Sequence, residues 1–278
     1  YDLLPLLLPQ HFDAGGPVRH DAWLRVAADF DGAVCISRAV ADELHDWLQR
    51  TQPARARRVP LQLGWFHLGA DITNAMPSKG MPPDAPDVLG RLRQDSSFLM
   101  VGTVEPRKGH TQVLDAFELL WASGTPVNLV IAGREGWMVA PLVQRLRTHP
   151  ERGRRLFWLE GISDEYLQAL YAACTCLIAA SEGEGFGLPL IEAAQHGMPM
   201  IARDLPVFRE VAREHAHYFA GSEPQAVAQA VNAWIDLRRA GREPRPEGLS
   251  WQTWSQSAQQ LKRVLFEGEW YRPWSPRR

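Results

Sequence analysis

The feature that most constrains the fold is a regular alternation of apolar runs and amphipathic segments across residues 97–212. Each apolar run has the length of a buried strand, and helical spacing follows it: SFLMVGT, VNLVIAG, RLFWLEG, TCLIAAS and MPMIARD. Repeated strand-then-helix units predict an α/β fold with a doubly wound parallel sheet. Because such crossovers are right-handed, the carboxyl ends of the strands should meet at one edge.

The flanking segments give weaker signals. GAVCIS (32–37) predicts a strand and residues 38–50 a helix, while the basic, proline-broken stretch 50–60 is interpreted as a solvated connector. Residues 64–90, rich in Gly and Pro, are expected to form a loop. The tail 249–274 predicts an amphipathic helix followed by tryptophans, which we interpret as packing on a neighbouring domain rather than as a sugar platform.

Composition excludes several classes of protein. A chain of 278 residues can form one large or two medium domains. A net charge of −2 argues against a dedicated nucleic-acid binder, and we expect no nucleic-acid partner. The three cysteines lie in apolar surroundings without regular spacing, which predicts buried thiols in a reducing compartment rather than a disulfide framework.

Charged and glycine-rich residues concentrate in the loops that follow the predicted strands. Open α/β sheets bind ligands at the edge where these loops gather. We therefore expect a binding site built from five loops: EPRKG (105–109), GREGW (133–137), GISDE (161–165), EGEGFG (182–187) and RDLPVF (203–208).

The glycine-rich loop EGEGFG precedes a predicted helix that starts at about Leu188, because the next residue, a proline, suits a first helical turn. Free N–H groups at a helix N-terminus favour an anion such as phosphate. Glu184 and Glu192 can each accept hydrogen bonds from adjacent sugar hydroxyls, so a nucleotide sugar fits the pattern. Spacing alone also allows a plainer interpretation, in which Glu184 favours the helix dipole and Glu192 faces solvent.

A pair of cations after the first strand of the alternation favours the first interpretation. Arg107 and Lys108 follow that strand closely and could hold a diphosphate and stabilise it as it leaves. No G-x-G-x-x-G follows a strand, which weighs against a dinucleotide oxidoreductase. The absence of a GxxxxGK[ST] loop from the sequence weighs against a P-loop ATPase.

Taken together, VGTVEPRKG, VIAGREGW, LEGISDEYLQALYAA and EGEGFGLPLIEAAQHGMPMIARDLPVFREV resemble the retaining glycosyltransferases of family four. That family has the GT-B fold of two facing Rossmann-like domains, and two glutamates spaced like Glu184 and Glu192 are its signature. The EPRKG and GREGW forms are most similar to bacterial enzymes of O-antigen and surface-polysaccharide assembly, many of them mannosyltransferases.

The resemblance implies a role for each matching residue. Glu184 would bind hydroxyls of the transferred sugar, Glu192 the ribose hydroxyls, and Arg107 with Lys108 the diphosphate, without a metal or other cofactor. Thr103 stands where the family often has arginine, and Tyr1 where it tends to have histidine. Further donor-binding positions, several of them through backbone groups, are Gly102, Thr103, Gly133, Gly161, Ile162, Gly185, Phe186, Gly187 and Leu188.

The resemblance also implies a domain plan. Residues 1–68 would be the last part of an acceptor-side domain, 69–247 the donor domain, and 248–278 a tail packing on the acceptor side, with the rest of the N-terminal domain before Tyr1. The expected function is transfer of a hexose, with GDP-mannose the first candidate donor, to a saccharide or lipid-linked saccharide. The expected location is the cytoplasm, with the inner face of the bacterial membrane as a candidate site of peripheral association. Two alternatives remain open: a non-catalytic nucleotide-sugar binding module and a nucleotide-sugar epimerase.

Overall fold

The computed structural model of the protein describes residues 1–70 and 80–277. The chain divides into two compact units by its contacts. Unit 1 comprises Tyr1–Asp71, Gly183–Gly187 and Ser250–Arg278, and unit 2 comprises Ile72–Glu182 and Leu188–Leu249. The glycine-rich segment Gly183–Gly187 groups with unit 1, although the sequence-based plan placed it in the donor domain; the roles of the predicted domains stay predictions.

Helices and strands alternate along most of the described chain. The helices are α1 (Leu4–Leu7), α2 (Gly16–Ala27), α3 (Arg38–Thr51), α4 (Ala85–Leu92), α5 (His110–Ala122), α6 (Ala140–Thr148), α7 (Asp164–Ala173), α8 (Leu188–Gln195), α9 (Pro206–Ala212), α10 (Pro224–Arg239) and α11 (Trp254–Phe266). The strands are β1 (Gly32–Cys35), β2 (Leu61–Trp65), β3 (Ser96–Val101), β4 (Val127–Ala132), β5 (Leu156–Leu159), β6 (Cys176–Ala179), β7 (Met200–Arg203), β8 (Ala216–Phe219) and β9 (Arg272–Trp274).

Unit 2 is built around a six-stranded sheet in the order β5-β4-β3-β6-β7-β8, and all its paired strands are parallel. The five strands predicted from the alternation are all present, so the predicted doubly wound sheet is confirmed. A sixth strand, β8, and the long helix α10 had been assigned no element. The chain winds outward to β5, returns to the middle and winds the other way from β6, which puts the topological switch between β3 and β6.

The core of unit 2 explains why this segment folds as it does. The central strands are buried on both faces, as β4 shows with six buried residues in succession, whereas the outer strands β5 and β8 each have two half-buried residues. Trp234 on α10 meets Phe98 of β3 edge to face, with ring centroids 5.6 Å apart. Phe98 in turn meets Phe117 on α5 at 5.7 Å. These aromatic contacts pack α5 and α10 against strand β3 of the sheet.

Unit 1 contains a small sheet in which β2 pairs in parallel with β1 and antiparallel with β9. Strand β2 was not expected, and α4 lies in the stretch assigned to a loop, so that part of the prediction was wrong; residues 71–79 of the same stretch lie outside the described residues. The tail does form a helix, α11, which begins with a capping box at Thr253 and Gln256. Trp274 is only 2% exposed, in agreement with the packing interpretation, whereas Trp254 remains 53% exposed.

The basic connector is solvated, as expected: residue 54 and residues 56–60 are exposed, and its arginines also make surface contacts. Arg55 donates to the carbonyl oxygens of Phe30 and Val59 at 3.0 and 2.9 Å, and Arg57 pairs with Asp31 at 2.8 Å. These contacts fold the connector onto the end of α2 and the start of β1. Among the described residues, no helix is both long and apolar enough to cross a bilayer.

Candidate functional site

The loops that follow β3 and β6 flank the topological switch of unit 2. They are joined directly, because the backbone N–H of Glu182 donates to the carbonyl oxygen of Arg107 at 2.8 Å. Open α/β sheets bind ligands in the crevice at such a switch, beyond the carboxyl ends of the strands. The candidate site of unit 2 therefore begins at this pair of loops.

Gly109 lets the β3 loop approach β6 closely. Its φ of +74° lies in the left-handed region, and a Cβ at this position would lie 2.4 Å from the carbonyl oxygen of Ala180. Both observations require glycine. Gly109 is also the residue from which α5 starts, so the tight contact aims the first turn of α5 at the sheet edge.

Lys108 lies over the end of β3. A Cβ built on Gly102 would be 3.7 Å from both Cε and Nζ of Lys108, and Gly102 has φ +129°. The lysine ammonium therefore lies beside a backbone that has no side chain to shield it. The adjacent Thr103 is exposed. Predicted donor-binding positions Gly102 and Thr103 thus lie next to the predicted phosphate-binding lysine.

Arg107 is held by a carboxylate. Its Nε lies 3.1 Å from Oε2 of Glu105, and the two side chains are 16% and 9% exposed. This ion pair, which sequence analysis did not predict, neutralises part of the guanidinium charge. A guanidinium carries five N–H donors in a fixed fork, a geometry that suits phosphate oxygens, and contact of Arg107 with a diphosphate stays a prediction.

His110, the first residue of α5, is neutral. Burial lowers the pKa of its imidazole to about 3, and the charge of Lys108 pushes it the same way. Because the imidazole stays uncharged at physiological pH, it adds no charge beside the lysine.

Arg203 braces the strand ends beneath these loops. It is 8% exposed and donates through Nε to the carbonyl oxygens of Ala180 and Ser181, at 3.1 and 3.0 Å. Its other nitrogens reach the carbonyl oxygen of Gly221 and the side-chain oxygen of Gln112. One side chain thus bonds the ends of β6 and α5 and the loop after β8. Sequence analysis placed Arg203 in an edge loop and gave it no role. The sequence feature that could have indicated its role is a single arginine at the end of an otherwise apolar strand.

Two glycines predicted to bind the donor follow the next strands outward from the switch. A Cβ at Gly133 would lie 1.8 Å from the carbonyl oxygen of Gly102, so the close packing of two strand ends accounts for this glycine. Gly161 has φ +60°, and a Cβ there would be 3.6 Å from Nε of Arg134. Ile162 beside it is half-buried. Contacts of these residues with a ligand stay predictions.

The glycine-rich loop is packed within unit 1. A Cβ at Gly185 would lie 2.7 Å from the backbone oxygen of Tyr1, and the Ser37 hydroxyl donates to the Gly185 carbonyl oxygen at 2.8 Å. Phe186 is buried with its ring 5.2 Å from that of His67. The structure thus gives a reason for glycine at 185 that the sequence did not, because the missing side chain makes room for the Tyr1 backbone; close approach of a ligand stays a prediction.

Gly187 has φ +101°, a conformation that suits glycine, and Leu188 then begins α8 as predicted. Glu184 in this loop is half-buried. The backbone N–H groups of Gly185 to Leu188 remain the predicted anion-binding groups.

Glu192 lies one turn inside α8, in unit 2, and is half-buried. Burial raises the pKa of its carboxyl and the charge of Asp164 adds to the rise, while a hydrogen bond from Tyr171 opposes it. That bond joins the Tyr171 hydroxyl to Oε2 of Glu192 at 2.7 Å. A carboxylate held in this way is not a freely solvated helical residue, so the structure disfavours the plainer interpretation of Glu192.

No group of three or more His, Cys, Asp or Glu side chains within residues 1–70 and 80–277 is arranged to hold a metal ion. That the reaction needs no metal stays a prediction. The three cysteines are free thiols, with Cys35 and Cys176 buried and Cys174 half-buried.

A parallel sheet with this strand order, cations at its switch and a glycine-rich loop before α8 is typical of proteins that bind nucleotides. The chain belongs to the group 1 glycosyl transferases, whose family model matches residues 84–248. This confirms the family predicted from the loop motifs.

The chain is similar to the serotype-specific mannosyltransferase WbdA of Escherichia coli, with 46% identity over 266 residues. The match covers 95% of this chain but 33% of the relative, so the chain spans about a third of that protein.

Two solved glycosyltransferases share the fold. HepE from Anabaena, in complex with UDP and glucose, superposes with a TM-score of 0.66 at 19% identity, covering 94% of this chain and 69% of that one. Sucrose-phosphate synthase from Thermosynechococcus elongatus gives 0.70 at 19% identity, covering 96% and 67%. Both likenesses support the predicted GT-B fold class.

Proposed function

We propose that the chain is the donor-binding part of a retaining mannosyltransferase, which transfers mannose from a nucleoside-diphosphate sugar to a saccharide acceptor in surface-polysaccharide assembly. The observation that carries the proposal is the arrangement at the topological switch: Lys108 lies beside Gly102 at the end of β3, and the loop that holds it is bonded to the loop after β6. The mannosyltransferase relatives and the UDP-bound neighbour support the donor class.

The proposed roles follow the charges. Lys108 and Arg107 neutralise the diphosphate and stabilise it as the leaving group, because cations placed where negative charge develops lower the barrier. Glu184 binds hydroxyls of the transferred sugar, and Glu192 binds those of the ribose. As the C1–O bond to the diphosphate breaks, the sugar carbon becomes oxocarbenium-like. An acceptor hydroxyl then forms the new C1–O bond from the face that the diphosphate leaves, and its proton passes to an oxygen of the departing diphosphate.

Calorimetry of the purified chain with GDP, GDP-mannose and UDP-glucose tests donor binding. The Lys108→Ala variant should bind each diphosphate at least tenfold more weakly, since a charged hydrogen bond contributes about 1.5–3 kcal/mol. Lys262→Ala is the matched control, because it removes the same charge from an exposed position on α11. Equal affinity of the two variants would refute the phosphate role of Lys108.

A transfer assay of a longer protein that contains this chain separates the remaining alternatives. Product with the anomeric configuration of the donor supports a retaining transferase, and inverted product refutes the mechanism. Donor binding without turnover would favour the non-catalytic module, and sugar interconversion without an acceptor would favour the epimerase.

A further inference from the structure

Glu192 has a specific neighbour, the buried side chain of Tyr171 on α7. Tyr171 is 3% exposed and its hydroxyl donates to Oε2 of Glu192 at 2.7 Å. Burial raises the pKa of the phenol well above 10, and the adjacent carboxylate raises it further. The phenol therefore keeps its proton at any physiological pH and remains a hydrogen-bond donor.

Tyr171 makes two contacts with α8 and the residue that follows it, one through its hydroxyl and one through its ring. Glu192 and His196 are four residues apart, so they face the same side of the helix and its C-terminal extension. Glu192 accepts from the hydroxyl, and the imidazole of His196 stacks on the phenol ring, with centroids 5.1 Å apart and planes inclined by 5°. These two contacts restrict rotation of the Tyr171 side chain and keep its hydroxyl directed at Oε2 of Glu192.

The consequence for Glu192 is geometric. A carboxylate offers two oxygens with about four acceptor positions. Tyr171 occupies Oε2, and among the described residues no group donates a hydrogen bond to Oε1. One oxygen is therefore anchored to the protein, while the other remains available to a ligand.

The charge of Glu192 also depends on this contact. Burial and the negative charge of Asp164 both favour the protonated carboxyl, and the Tyr171 hydroxyl is the group on α7 that favours the ionised form. Removing the hydroxyl would leave a carboxyl that is both free to rotate and less readily ionised. Each change would weaken it as an acceptor for sugar hydroxyls.

We propose that Tyr171 is a positioning residue for donor recognition: its hydroxyl fixes one oxygen of Glu192 so that the other accepts from the vicinal hydroxyls of the donor's ribose. The inference rests on the proposed function, in which Glu192 binds the ribose. Tyr171 lies outside the edge loops, on α7, and the inference adds it to the residues proposed to recognise the nucleotide.

The test compares GDP with 2′,3′-dideoxy-GDP by calorimetry. The wild-type chain should prefer GDP, because only GDP has the hydroxyls that Glu192 reads. Tyr171→Phe keeps the ring and its stack but removes the hydroxyl; it should bind GDP about tenfold more weakly and dideoxy-GDP unchanged, since a hydrogen bond to a charged group is worth about that ratio or more. The preference for GDP should therefore largely disappear.

Two further variants separate positioning from general damage. Tyr218→Phe removes a hydroxyl that donates to the Phe208 and Arg213 carbonyls, and it should keep the full preference. Adding Tyr171→Phe to Glu192→Gln should cost no further GDP affinity, because Tyr171 acts through the carboxylate.

Each other outcome overturns the inference in a recognisable way. A wild-type preference that survives in Tyr171→Phe means that the hydroxyl positions nothing. Loss of dideoxy-GDP binding in Tyr171→Phe means that its effect is structural. A wild-type chain that binds both nucleotides equally refutes the ribose role of Glu192 itself, and hence that part of the proposed function.

Discussion

Arg203 should be among the side chains of unit 2 most sensitive to replacement. Its guanidinium supplies hydrogen bonds to the carbonyl oxygens of Ala180, Ser181 and Gly221 and to the side chain of Gln112. Burial lowers its pKa, which reflects the cost of keeping a charge there. Two of these acceptors, Ala180 and Ser181, lie just after β6, where the chain enters the candidate site. Arg203 should therefore stabilise both the fold of unit 2 and the backbone at that position.

The magnitude follows from the acceptors that would be abandoned. Arg203→Met keeps much of the volume but leaves four oxygens without their donor. Two of them, on Ala180 and Ser181, are buried, and each buried unsatisfied group costs about 1–3 kcal/mol, whereas water can reach the other two. Relief of guanidinium desolvation offsets part of this, so we expect the free energy of unfolding to fall by about 2–4 kcal/mol.

Urea unfolding followed by circular dichroism measures this loss. Arg209→Met is the matched control, because Arg209 is 50% exposed and pairs with the equally accessible Asp204. It should cost about 1 kcal/mol or less. A loss for Arg203→Met as small as that of the control would show that the carbonyls find other donors, and the bracing argument would fail.

Two further perturbations test separate features. The pKa of Glu43 is raised to about 7, chiefly by burial, so the folded state holds a proton that the unfolded state releases near pH 4.5; stability should fall as pH rises through this window. Glu43→Gln should flatten that slope and raise stability near pH 8 by about 3 kcal/mol, measured by unfolding at several pH values; an unchanged slope would contradict the assignment. Gly109→Ala should destabilise far more than Gly124→Ala, because both have positive φ but a Cβ at Gly109 meets the Ala180 carbonyl whereas one at Gly124 meets open space; equal melting temperatures would contradict the close contact.

The central sheet was predictable because each strand carries its own signal. Runs such as VNLVIAG are apolar throughout, as expected for strands buried on both faces, and the helices between them have clear periodicity. Strand β9 could not be predicted, since three residues containing a proline carry no strand pattern. It exists because β2 offers it a partner far away in the sequence.

The candidate site divides in the same way. Arg107 and Lys108 were predicted from their place in a loop and Glu192 from its place one turn inside a helix, because these are local features of the sequence; their contacts with a ligand stay predictions. The Glu105 partner of Arg107, the Tyr171 contact of Glu192 and the bracing by Arg203 are tertiary, and composition does not reveal them. For Gly185 the sequence indicates that a side chain is unwelcome, but only coordinates identify the obstacle as the Tyr1 backbone.

The hydrogen bond between the Glu182 amide and the Arg107 carbonyl uses main-chain atoms only. The side chains of both residues can therefore change during evolution without loss of the hydrogen bond between the two loops. Related chains could therefore change the side chains around a bound ligand while the relative position of these two loops is kept.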